Sequence, residues 1–126
     1  MTKTVIKTEQ ELLDVIVRAN DNYSPISGEW YIPEENAACA LTSIFLETGI
    51  VSKKKASALG PSRADELLCE LFGKDKDEYY GFDIDAITDM NDECTRDAGY
   101  KEIVKQFRKA HADEQTIRLP WETQEK

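Results

Sequence analysis

A chain of 126 residues, 40% hydrophobic and 33% charged, is long enough for one domain with its own core and too apolar to stay disordered. Its net charge of −9 argues against a nucleic-acid partner, which needs a basic footprint. No apolar run approaches the roughly 20 residues that cross a bilayer. The stretch Met1-Thr2-Lys3-Thr4-Val5-Ile6-Lys7 is too short and polar for a signal peptide, so the expectation is a cytoplasmic protein with no membrane partner.

In chain order, Thr8-Glu9-Gln10-Glu11 forms a capping box, in which the Thr8 hydroxyl takes the Glu11 amide and Glu11 reaches back. The helix behind it carries Leu12, Leu13, Ile16 and Val17 and runs to about Asn20. Asp21 to Ile32, with Pro25 and Gly28, reads as a long loop holding a short strand at 29–32. Pro33 suits a first helical turn, with Glu34 and Glu35 at the positive end of the dipole. Ala37 to Leu46 is apolar on several sides, which marks a central helix stopped by Gly49. After Lys53-Lys54-Lys55, Ser62 is placed to cap a helix carrying Leu67, Leu68, Leu71 and Phe72 and closed by Gly73.

Lys74 to Gly81 reads as a charged loop with Tyr79 and Tyr80, and Ile84 and Ile87 as anchors of a helical turn. The last helix starts around Asp97, because Tyr100, Ile103, Val104 and Phe107 follow the i, i+3, i+4, i+7 spacing. Thr116 to Leu119 suits a strand that would pair with Thr4 to Ile6. The expected fold is mainly α, about four helices with a minor strand pair, in a single α+β domain over 1–126 that ends in a tail at 120–126.

Catalysis finds little support. The only histidine, His111, falls near the end of the last helix, where the dipole favours a positive imidazole. Gly-rich phosphate loops, GxSxG elbows and HExxH motifs are missing. Cys39, Cys69 and Cys94 match neither zinc spacing nor a disulfide framework, and Cys39 and Cys69 read as small core residues. Asp83, Asp85, Asp89 and Asp92 lack the glycine and terminal glutamate of a calcium loop. The expectation is a protein that is not an enzyme and needs no cofactor or metal.

Charge and motif converge in the second half. Residues 65–97 hold 3 basic and 12 acidic side chains, so this segment supplies the whole imbalance. Phe82, the pair Asn91-Asp92, and a helix carrying Lys101, Lys105, Arg108 and Lys109 follow one another closely. Asn and Asp before a helix commonly make turns and caps. The same groups suit a ribose or base edge, while Arg and Lys suit phosphate and an aromatic ring suits a base.

Cys39-Ala40-Leu41, Asn91-Asp92, and Ile103-Val104 through Phe107-Arg108-Lys109-Ala110 resemble motifs of a family of small phage and bacterial proteins that includes the Thoeris anti-defence sponges. Those proteins have a Cys-Ala-Leu-like motif opening a middle helix, a Trp-Asn-Asp-type motif, and a last helix ending Phe-x-Lys-Ala. Met90 stands where the family favours Trp. The resemblance implies a homo-oligomer that sequesters a cyclic ADP-ribose or cyclic nucleotide immune signal without cleaving it. It implies that Phe82 stacks on this small phosphate-bearing ligand, that Asn91 and Asp92 hydrogen-bond it, and that Arg108, or Lys109 beside it, pairs with a phosphate. The alternative reading, from charge, is an acidic inhibitor that mimics nucleic acid toward a basic surface of a defence enzyme.

Overall fold

Helix α1 (Glu9–Asn22) begins where the capping box requires. Thr8 Oγ1 accepts the Glu11 N–H at 3.1 Å, and Glu11 Oε1 accepts the N–H groups of Thr8 and Lys7 at 3.2 and 2.8 Å. These bonds hold the Glu11 carboxyl below its ordinary range, the Lys7 amide contributing most. The computed structural model describes residues 5–74 and 82–111, with His111 by its backbone alone. Of the expected strand pair, Thr4 and 116–119 lie outside the described residues, as do the tail at 120–126, Tyr79 and Tyr80, while Val5 and Ile6 are described and belong to no strand.

The chain then makes a three-stranded sheet of two-residue strands, β1 (Ser24–Pro25), β2 (Tyr31–Ile32) and β3 (Ala37–Ala38), in the order β1-β3-β2. Ser24 faces Ala37 in parallel register, and Tyr31 faces Ala38 in antiparallel register. Pro33 does start a helical turn, but a 3₁₀ one over Pro33–Glu35 that ends at Asn36 in the left-handed region, φ 49°. That reversal turns the chain into β3 and delays the central helix to α2 (Ala40–Thr48). The expected single helix from Pro33 to Leu46 is thus a turn, a strand and a helix.

Helix α2 is buried from Ala40 to Leu46, as its all-round apolar sequence predicts, and Gly49 stops it at φ 80°. A single turn, α3 (Lys53–Ala56), follows, capped by Ser52. Pro61 rather than Ser62 opens α4 (Pro61–Leu71), with Gly60 as the N-cap. The turn expected at Ile84 is a full helix, α5 (Ile84–Glu93), capped by Asp83. The last helix, α6 (Arg96–His111), pairs with α5 and rests on α2. Six α-helices and the small sheet among the described residues make the fold mainly α, with two more helices than expected.

Two contacts close the structure around α2. The Ile6 N–H bonds the Leu71 carbonyl at 2.7 Å, tying the segment before α1 to the end of α4. Phe72 meets Phe82 and Phe107 edge-on, with ring centroids 5.5 and 4.8 Å apart, which joins α4, the start of α5 and α6.

Candidate functional site

Helix α2 begins without a side-chain cap from its own sequence, since the Cys39 thiol caps none of its N–H groups. The Ala40 N–H instead donates to Asn91 Oδ1, 3.0 Å away on α5. The Asn91 amide nitrogen donates to the Ile26 carbonyl at 2.9 Å and to Asp92 Oδ1 at 3.0 Å. Asp92 Oδ1 also accepts the Gly28 N–H at 2.9 Å. Two adjacent side chains thus strap the loop between β1 and β2 onto α5 while capping α2. Gly28 lies at φ 78°, which lets the loop turn back toward β2 under that strap.

The strap requires close approach of three helices. A Cβ on Gly99 would stand 2.9 Å from Ala40 Cβ and 3.2 Å from Asn91 Cβ. Glycine at this point of α6 is what brings Asn91 within reach of Ala40.

The strapped loop contributes to two depressions. The larger, about 440 Å³, is lined by Asn20 of α1, by Pro25, Ile26 and Ser27, and by Thr95, Arg96 and Asp97 at the start of α6. The smaller, about 200 Å³, includes Gly28, Trp30, Cys39, Thr88 and Asp92. The Cys39 thiol is buried against Thr42 Oγ1 at 3.4 Å, and burial pushes its pKa up, so it is not an activated nucleophile.

Arg96 is the unusual residue here. It is only 6% exposed, yet no carboxylate among the described residues bonds its guanidinium. Nη1 donates to the Ala38 carbonyl at 3.0 Å, and Nη2 donates to Asn20 through its carbonyl at 3.2 Å and its Oδ1 at 3.0 Å. Nε has no partner. The guanidinium carbon lies 5.6 Å from the centre of the Tyr100 ring. Burial pulls the Arg96 pKa down, against the opposing pull of Tyr100 and Asp97 nearby. Tyr100 in turn is pushed up to about 12 by burial, and its hydroxyl bonds Ser43 Oγ at 2.7 Å.

The five residues expected to bind ligand do not form one pocket. Asn91 and Asp92 are together at the strap. Phe82 is buried in the core with its ring against Phe72, so it offers no exposed face for stacking. Arg108 binds Glu9 through two bonds, Nε to Oε1 at 2.8 Å and Nη2 to Oε2 at 2.9 Å. It also lies roughly 13 Å further along α6 than Gly99, beside which Asn91 packs. Lys109 is exposed on the same turn. Sequence reasoning passed over Arg96. Its signal was a cation at the positive end of a helix dipole, where a positive side chain is unfavourable unless something else holds it.

Among the described residues, no three His, Cys, Asp or Glu side chains gather as a metal site would require. No described helix is long and apolar enough to cross a membrane. No protein-family model, curated protein or solved structure matches this chain, so the family resemblance rests on the short motifs alone.

Proposed function

We propose that the chain binds and sequesters a small phosphate-bearing nucleotide, of the cyclic ADP-ribose or cyclic nucleotide class, without cleaving it. On this reading it is a phage-type anti-defence protein acting in the host cytoplasm. The observation that carries the proposal is the strap: Asn91 and Asp92 immobilise the loop that walls a depression of about 440 Å³, a volume suited to a nucleotide-sized ligand. A loop already fixed in place loses little entropy when a ligand binds. The Asn-Asp motif of the resemblance then works by shaping the pocket wall. The net charge of −9 repels an anion at long range, but salt screens this beyond about 8–10 Å.

A thermal-shift screen against cyclic ADP-ribose isomers and cyclic di- and trinucleotides tests the reading. A ligand at a hundred times its Kd stabilises the fold by about 2.7 kcal/mol. A shift with the ligand recovered intact is the expected result. Cleavage of the ligand, or no shift with any of them, overturns it.

A second reading has its own observation. Asp85, Asp89, Asp92 and Glu93 are exposed on α5, and the 37%-exposed Met90 stands among them. Such a face suits docking onto a basic protein surface. It predicts a complex with a nucleic-acid enzyme that weakens steeply with salt; a salt-insensitive complex counts against it.

A further inference from the structure

We infer that Arg96 is the phosphate-recognising residue of the larger depression, and that Asn20 is the group which a ligand phosphate displaces. The inference deepens the sequestration reading and rests on it for the identity of the nucleotide, though not for the anion chemistry. Three observations meet at this point. Arg96 is more than nine-tenths buried and lines the depression, and among the described residues its Nε has no partner and no carboxylate is bonded to it. The N–H groups of Arg96 and Asp97 open α6 and have no intrahelical acceptor, whereas the Ala98 N–H is already held by Thr95 Oγ1 at 3.1 Å. Arg96 Nη2 is bonded to the carboxamide of Asn20, an exposed residue of α1 that lines the same depression.

A phosphate oxygen that takes the place of Asn20 Oδ1 gains a charge-assisted bond to Nη2 and places an anion in direct contact with the guanidinium. The Ala38 and Asn20 carbonyls keep the guanidinium in place while the exchange occurs. Asp97, which lines the same depression, opposes the anion and sets an upper limit on affinity. Arg108 is held elsewhere, its Nε and Nη2 bonded to the Glu9 carboxylate.

The experiment uses the full chain and inorganic pyrophosphate. In wild type, the Arg96 Nε–Hε NMR cross-peak shifts on titration and the melting temperature rises. Asn20→Asp places an internal carboxylate on Arg96 and is expected to stay folded, with pyrophosphate Kd raised at least tenfold. Asp97→Asn is expected to tighten pyrophosphate several-fold. Should Asn20→Asp fail to fold, the wild-type cross-peak and Asp97→Asn still decide the matter. A cross-peak that does not move, or Asn20→Asp binding pyrophosphate as wild type does, overturns the assignment. Pyrophosphate binding without binding of any cyclic nucleotide supports the Arg96 site and overturns the sequestration reading. A cyclic nucleotide that binds Asn20→Asp and wild type equally leaves that reading standing and removes Arg96 from it.

Discussion

Asn91 Oδ1 accepts the Ala40 N–H across 51 positions of sequence, so the central helix is capped by a residue of another helix. The same buried carboxamide holds the Ile26 carbonyl. Replacing it with Ala leaves a buried donor and a half-buried acceptor unsatisfied at once. Asn91→Ala is expected to cost about 3 kcal/mol in urea unfolding. Asn91→Asp retains the cap on Ala40 but loses the donor to Ile26 and adds charge beside Asp92. Hydrogen exchange at Gly28 should speed up in Asn91→Asp while exchange at Ala40 stays slow; equal acceleration at both would show that the strap is not separable from the cap.

Arg108 answers to Glu9, which is 2% exposed. Removing the arginine strands a buried carboxylate. Arg108→Ala is expected to lose about 3 kcal/mol of stability and to leave pyrophosphate affinity unchanged. Binding lost at full stability would return Arg108 to the ligand site.

Gly99 and Gly28 predict opposite origins for the same symptom. Ala is the better helix former by about 1 kcal/mol, but at position 99 its methyl would press on Ala40 and Asn91. Overpacking of this kind costs roughly 1–3 kcal/mol, so Gly99→Ala should be destabilised by up to about 2 kcal/mol net. Gly28→Ala meets open space and loses about 1–2 kcal/mol from its left-handed backbone alone. Guanidinium unfolding of both variants checks the pair, and a stabilised Gly99→Ala would contradict the close packing of α6 on α2.

Tyr100 gives the fold an alkaline limit. Its folded pKa is raised to about 12 from an ordinary value of 10.0. The stabilisation is therefore complete below pH 10 and is lost as pH rises from 10 through about 12, because the unfolded chain ionises first. The loss amounts to about 2–3 kcal/mol. Tyr100→Phe, which is weaker at neutral pH for want of the Ser43 bond, should show a flatter decline of stability above pH 10. Parallel declines in the two proteins would assign the alkaline limit elsewhere.

What could be read from the sequence was local. Thr8 and Glu11 announce their cap within four residues, Gly49 announces a stop, and Ile103, Val104 and Phe107 announce a buried helical face. What could not be read depends on distant partners. Two-residue strands such as Ala37–Ala38 carry no periodicity and exist only through pairing with Ser24 and Tyr31. Asn91 looks like a turn residue in sequence, and capping is what it does, but for a helix that starts at Ala40. Arg108 looked available because Glu9 lies 99 positions away.

That separation of Glu9 from Arg108 also fixes an order of events during synthesis. Ribosomes add about 5–20 residues per second, so roughly 5–20 s pass between the two. Throughout that interval the first turn of α1 carries a carboxylate whose native burial requires a cation not yet made. The emerging chain therefore has reason to keep α1 exposed to water until α6 is nearly finished, and a nascent chain halted before Arg108 would hold its first helix undocked.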